Sequence, residues 1–278
     1  MSNPSDPIPV TRELLRDWGL PDAGDSKNSR GRVVVVGGSG LSPGAVRLAG
    51  EAALRVGAGK VGAAVSPEIA DVIRMSFPEA GVFELGPRGR KAESTLAAEL
   101  IAADAVLIGP GFDDPRETLA RLRTIAACDV ACLVVDAFAV AAITNVRRAT
   151  LPDILIVNAN LDEASILLGR EPEDIPADVA EIARTHRAIV NCYGVVASPD
   201  GDVWEVRGGG PGLGTAGSGD VLAGAITGFA ARGLTPVRAA AWGAWTHARA
   251  GDRLTERLGL GFLARELAGE LAQAVREV

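Results

Sequence analysis

The sequence predicts an α/β protein in which a mainly parallel sheet lies between two layers of helices. Three observations carry that prediction. Short unbroken apolar runs such as "RVVVV" read as strands buried on both faces. These runs alternate with amphipathic segments of helix length, and glycine-rich turns close several of them. Composition agrees, with 47% hydrophobic and 23% charged residues, abundant Gly (34) and few aromatics (4%). The 278 residues can bury a large core, and no composition break divides them. The expected organisation is an N-terminal arm over 1–31 followed by one large domain over 32–278.

The arm is rich in Pro, Asp, Ser and Gly and should carry one short helix over 11–18. The first strand covers 33–36 and ends at Gly37-Gly38; Pro43 opens a helix that Gly57 and Gly59 stop. A strand over 61–66 and a helix over 68–77 follow. Next come a helix over 93–102, a strand over 105–111 and a helix over 115–127, for which Asp114 and Pro115 make a capped start. Strands are expected over 131–137 and 154–160, helices over 162–168 and 176–185, and a strand over 188–192. "GVVASPDGDVWEV" reads as a hairpin turning at Asp200-Gly201. From there the chain becomes helical, over 221–231, 237–254 and 263–278, and no repeat of 20–50 residues is present.

Several function classes are excluded. A net charge of −7 with scattered basic residues leaves no footprint for nucleic acid or an anionic membrane. The N-terminus lacks a basic-then-apolar leader, and no later apolar run reaches membrane-span length. The expectation is a cytoplasmic protein that handles small molecules. Cys128, Cys132 and Cys192 make neither a disulfide framework nor a zinc site, and the first two read as small apolar residues beside a strand. His186 and His247 are too few for a metal centre, so no metal-ligating residue is assigned; for His247, near Trp242 and Trp245, packing or a local hydrogen bond is expected.

In a parallel sheet, ligands collect beyond the carboxyl ends of the strands. Four loops fall there: "GGSGLSPGA" (37–45), "GPGFDD" (109–114), "VNANLDE" (157–163) and "GPGLGTAGSGDVLAG" (210–224). The first lacks dinucleotide-fingerprint spacing and no acid ends the next strand, while a P-loop motif is absent from the sequence. The last loop offers another way to hold phosphate. Small residues over 215–220 let backbone N–H groups converge at a helix N-terminus, with Thr215 and Ser218 as further donors. Asp220 in the first turn is either a proton acceptor or a helix cap.

"GTAGSGDVLAG" resembles the anion-hole and catalytic-Asp motif of the ribokinase-like superfamily. With "SKNSRGRV", "GRVVVVGGSGLSPGAVRLAGEAALRVGAGKV", "LIGPGFDD", "VVDAFA", "NLDEASILLG" and "AAAWGAWTHARAGDRL", the chain resembles the ADP/ATP-dependent NAD(P)H-hydrate dehydratases over residues 27–267. The resemblance implies a three-layer α/β/α ribokinase-like fold and a nicotinamide nucleotide repair enzyme. Such an enzyme uses ADP or ATP to turn a ring hydroxyl into a phosphate leaving group, whose elimination restores NAD(P)H. It implies Asp220 as the base and Gly217, Ser218 and Gly219 as the cradle of the phosphoryl group. Ala45, Gly111, Asn160 and Asp220 would line the hydrated nucleotide, and Asn191, Cys192, Tyr193, Gly194, Val195 and Gly219 the phosphate donor. Mg²⁺ is expected with the phosphates, Glu163 either placing it through water or merely favouring a helix N-terminus. The resemblance also implies a homo-oligomer, often a tetramer.

Three positions depart from the family's pattern. Asn158-Ala159-Asn160 stands where Thr-Pro-His is expected, Asn191-Cys192-Tyr193 where Lys-Gly-Ala is expected, and Phe138 replaces the second acid of Asp-Ala-Asp-Ala while Asp136 remains. Loss of a phosphate-binding cation at Asn191 costs donor binding roughly a few kcal/mol. Two alternatives stand beside the dehydratase. One is a kinase of the same superfamily for a hydroxyethylthiazole- or hydroxymethylpyrimidine-like alcohol, and the other is a nucleotide-binding module without catalysis.

Overall fold

The computed structural model describes residues 6–22, 24–86 and 89–278. The first five residues of the expected arm lie outside that set. In chain order the elements begin with β1 (Ile8–Pro9), α1 (Arg12–Trp18), β2 (Arg32–Val36), α2 (Gly44–Arg55), β3 (Lys60–Val65), α3 (Ala70–Ser76) and β4 (Ala80–Glu84). Then follow α4 (Gly89–Ile101), β5 (Ala105–Ile108), α5 (Pro115–Ala126), β6 (Cys132–Val135), α6 (Phe138–Ala142), β7 (Ile154–Ala159), α7 (Leu161–Leu168) and α8 (Ile175–His186). The chain ends with β8 (Ile189–Cys192), β9 (Val195–Ala197), β10 (Val203–Glu205), α9 (Ser218–Ala231), α10 (Pro236–Leu258) and α11 (Ala264–Val275).

The ten strands form one sheet in the order β1-β10-β9-β8-β7-β6-β5-β2-β3-β4, and β9 alone pairs antiparallel with its neighbours. The unbroken apolar runs have a simple cause, since both faces are covered. On one face Val33, Val35, Ala105 and Leu107 pack against Val46 of α2, Phe229 of α9, Trp242 of α10 and Leu267 of α11. On the other, Val34, Val36, Val106 and Ile108 pack against Leu122 of α5, Val140 of α6 and Val179 of α8. Alternating side chains of each strand therefore enter different cores, and neither face needs polar residues. Among the described residues no helix is long and apolar enough to cross a membrane.

Small residues set how closely the helices approach. Gly224 and Gly228 of α9 lie on the backbone of Ala49 and Ala53 in α2, where an added Cβ would strike the Ala49 carbonyl. This close crossing carries the N-terminus of α9 up beside the ends of the central strands.

The structure corrects several boundaries. The strands expected over 105–111 and 131–137 stop at Ile108 and Val135, because Gly109 (φ 127°), Gly111 (φ 73°) and Ala137 (φ 50°) turn the chain out of the sheet. The edge strand β4 and helix α6 are additional to the expectation, and β1 pairs with β10, so part of the expected arm joins the sheet. The hairpin forms as expected, with the Ser198 N–H donating to the Asp202 carbonyl at 3.0 Å and Gly201 at φ 100°. Asp114 caps α5 by accepting from the N–H groups of Arg116 and Glu117, with Pro115 in the first turn.

Candidate active site

The four loops, three of them glycine-rich, meet at the carboxyl edge of the sheet. The first two are tied by the Gly38 N–H, which donates to the Pro110 carbonyl at 2.8 Å. Gly111 sits so close to Ala45 that a Cβ there would lie 2.9 Å from the alanine methyl. Two of the four residues expected to line the hydrated nucleotide are thus neighbours across the mouths of β2 and β5.

Helix α9 opens at Gly217, whose left-handed backbone (φ 87°) turns the preceding loop into the helix without any side-chain cap. A Cβ at Gly217 would fall 2.6 Å from Leu48 Cδ1, while Gly219 faces open space. The residue types follow from this geometry. A left-handed turn wedged against α2 requires glycine, and an open backbone lets a ligand approach the first unpaired N–H groups of the helix.

Asp220 follows one residue later. The capping alternative fails, because Gly217 occupies the cap position and Asp220 forms no hydrogen bond among the described residues. Burial instead pushes its carboxyl up to about 6 from 3.8. A carboxylate without hydrogen-bond partners, partly withdrawn from water and titrating near neutrality, is equipped to take a proton.

At the end of β7, Asn160 and Glu163 form a reciprocal box. Asn160 Oδ1 accepts from the Glu163 N–H at 2.8 Å, and Glu163 Oε2 accepts from the Asn160 N–H at 3.0 Å. Among the described residues the amide nitrogen of Asn160 has no partner and stays available as a donor on an exposed residue. Burial raises the Glu163 carboxyl, the Asn160 N–H opposes that shift, and the Asp162 charge adds to it.

Beneath these loops runs a buried polar row that sequence reasoning missed. Asn158 Nδ2 donates to Asp136 Oδ1 at 2.8 Å, and Asn191 Nδ2 donates to Asn158 Oδ1 at 2.7 Å. The three side chains come from the ends of β6, β7 and β8, which are adjacent in the sheet and far apart in sequence. Burial, with the charges of Glu163 and Asp220, holds Asp136 well above the usual carboxylate range, and the Asn158 bond opposes this. Asn191 Oδ1 is buried without a hydrogen-bond partner among the described residues.

The row bears on the expected donor-nucleotide segment. Asn191, Cys192 and Val195 point into the protein, so Tyr193 and Gly194 are its members with open surface. Desolvation pushes the Cys192 thiol up to about 12, which leaves it inert. Tyr193 is 78% exposed and held at φ 52°. Among the Phe, Trp and Tyr residues, Phe138 and Tyr193 are the exposed ones, and both stand at strand ends.

Behind α9, His247 is buried and its Nε2 lies 3.0 Å from both the Oγ and the carbonyl oxygen of Ser218. The expected local hydrogen bond is therefore present, and its partner belongs to the glycine loop. Residue types hinted at this pairing, but no spacing rule connects positions on two helices.

The mouth of α9 sets the carboxyl of Asp220 beside the open backbone of a helix N-terminus, at the rim of a mainly parallel three-layer sheet. That combination defines the ribokinase-like class of α/β proteins. Comparison with known proteins narrows the class. A profile of the family described as NAD(P)H-hydrate dehydratase matches residues 33–273. The ADP-dependent (S)-NAD(P)H-hydrate dehydratase of Xanthomonas campestris pv. campestris is 43% identical over 94% of this chain and 94% of its own length. A bifunctional NAD(P)H-hydrate repair enzyme of Moorella thermoacetica is 36% identical over 86% of this chain, which matches 48% of that longer protein. Among solved structures, the ADP/ATP-dependent NAD(P)H-hydrate dehydratase of Bacillus subtilis co-crystallized with ATP/Mg²⁺ superposes with a TM-score of 0.81 at 25% identity, covering 98% of this chain and 99% of the other. The chain belongs to the NAD(P)H-hydrate dehydratase family.

Proposed function

We propose that this chain dehydrates (S)-NAD(P)H hydrate back to NAD(P)H at the expense of ADP or ATP. The observation that carries the proposal is Asp220: a partly buried carboxylate with no hydrogen-bond partner among the described residues, titrating at about 6, beside the open backbone of Gly219 at a helix N-terminus. The hydrated ring carries a hydroxyl that leaves poorly as hydroxide. Asp220 takes the hydroxyl proton while the oxygen attacks the terminal phosphorus of the donor, breaking its bridging P–O bond and releasing AMP from ADP or ADP from ATP. The N–H groups of Gly217 and Gly219 hold the charge on the phosphoryl oxygens throughout, together with the hydroxyl of Ser218, whose own N–H donates to the Thr215 carbonyl at 3.2 Å. Phosphate then departs with its bonding electrons, a proton leaves the neighbouring ring carbon, and the double bond returns.

On this reading Ala45 and Gly111 form the wall against which the nicotinamide nucleotide lies, and the free amide of Asn160 donates to it. Tyr193 and Gly194 flank the phosphate donor, with Asn191, Cys192 and Val195 supporting that loop from below. Residues 32–278 act as the catalytic domain, with 1–31 an arm upon it. The cytoplasm, where these nucleotides circulate, is the place we assign, and a homotetramer the assembly.

Among the described residues no three His, Cys, Asp or Glu side chains close on one point. The donor set nevertheless suits Mg²⁺, which keeps several waters and relies on phosphate oxygens. Glu163 and Asp220 stand at the rim above the buried Asp136 and would hold the ion through water. When bound, Mg²⁺ neutralises donor phosphate charge.

The test is conversion of hydrated NADH by purified protein with Mg²⁺ and ADP or ATP, followed as the return of reduced-nicotinamide absorbance. A folded preparation that converts nothing with either donor overturns the proposal. Accumulation of a stable phosphorylated alcohol in place of NADH would point to the kinase alternative.

A further inference from the structure

We propose that His247 is a positioning residue that aims the hydroxyl hydrogen of Ser218 at the phosphoryl group in transit; the inference rests on the reading of the α9 mouth given above. The argument turns on which atom owns which hydrogen. His247 Nε2 lies 3.0 Å from the Ser218 carbonyl oxygen, and a carbonyl can only accept. Nε2 must therefore carry a hydrogen, which fixes the tautomer. The ring is buried and held neutral, its pKa pushed down to about 4 by desolvation.

The same Nε2 lies 3.0 Å from Ser218 Oγ. Since Nε2 is a donor, Oγ can meet it only with a lone pair, and the shared N–H forms a bifurcated bond. The serine hydrogen is thereby excluded from the histidine side. Ser218 Oγ has no other partner among the described residues. Its hydrogen is left over, on the first residue of α9, between Gly217 and Gly219. A hydroxyl in that place adds a donor to the backbone N–H groups, with its direction set in advance, and fixed donors act most strongly on charge that grows in the transition state. A serine without His247 could rotate its hydrogen to the carbonyl side and lose that alignment.

The test is a double-mutant cycle on turnover of hydrated NADH with ADP or ATP. Ser218→Ala should lower kcat by roughly 10–100-fold with a nucleotide KM changed by less than about threefold, as expected for a donor used in the transition state. His247→Leu should produce a similar fall, and His247→Gln, whose amide N–H reaches the place of Nε2–H, should recover most of it. In the Ser218→Ala background, His247→Leu should cost nothing further. If His247→Leu does not fold, His247→Asn, too short to reach Ser218, replaces it in the cycle. Penalties that add, or a Gln variant as impaired as Leu, overturn the role of His247 alone. Full activity in both Ser218→Ala and Asp220→Asn overturns the α9 site itself.

Discussion

Replacing Asp220 by Asn should make the protein more stable and nearly inactive at once. In the unfolded chain the carboxyl titrates at its ordinary 3.8, and in the native state at about 6. Between those values the folded protein holds the proton more tightly, so wild-type stability falls as pH rises through this window, and above about 6 the whole cost is present. A difference of roughly two pH units corresponds to about 3 kcal/mol, an upper figure because the group is partly exposed. Asn keeps the shape and never ionises. The variant should match wild type near pH 4 and gain stability up to about pH 6, reaching roughly 5–10 °C in Tm on the plateau. Thermal melts across about pH 4 to 8, with no nucleotide present, read the difference directly. Turnover should fall by about 10²–10⁴, the usual worth of a general base. A Tm difference that does not change with pH refutes the burial argument, and an active Asn variant refutes the proton transfer.

Other consequences can be checked independently. In the wild type, kcat/KM should fall roughly tenfold per pH unit below about pH 6, as Asp220 is protonated; a flat profile down to pH 5 would assign the proton to another group. Two glycine substitutions should act with opposite signs in denaturant melts. Gly224→Ala drives a methyl onto the Ala49 carbonyl and should cost about 3 kcal/mol, while Gly269→Ala, in open space on α11, should gain about 0.5–1 kcal/mol. Tyr193→Gly should relieve a left-handed backbone and stabilise by about 1 kcal/mol, yet weaken ADP binding roughly tenfold by losing a stacking surface; calorimetry should show binding of inorganic tripolyphosphate unchanged.

Much of this architecture was legible because parallel strands buried on both faces are written as continuous apolar runs. β4 escaped because an edge strand with half-buried residues carries a weak pattern, and "AGVFE" alternates too little to declare itself. α6 escaped because the turn before it uses Ala137 in a conformation that normally advertises itself through glycine. At the site, the glycine loop and Asp220 were readable because the left-handed turn at Gly217 and its close contact with Leu48 restrict residue types locally. That Asp220 is not the helix cap was not readable, because it depends on Gly217 taking the cap position. The polar row of Asp136, Asn158 and Asn191 depends on β6, β7 and β8 being neighbours, and the Ser218–His247 pair joins residues 29 apart on two helices. Local pattern contains neither fact.

The row beneath the loops also constrains how this protein can change. The amide of Asn158 spends its nitrogen on Asp136 and its oxygen on Asn191, so the middle position holds the row together and none of the three can be replaced without touching another. A lysine at Asn191, as the resemblance leads one to expect there, would bring a longer, charged ammonium among groups arranged for an amide and would displace the Nδ2 that Asn158 Oδ1 accepts from. A lineage could cross between the charged and the amide versions only by paired substitutions, with an unmatched polar group buried at the halfway point. The asparagine at the end of β8 is thus a historical commitment, and its origin would be sought at positions 136 and 158 as much as at 191.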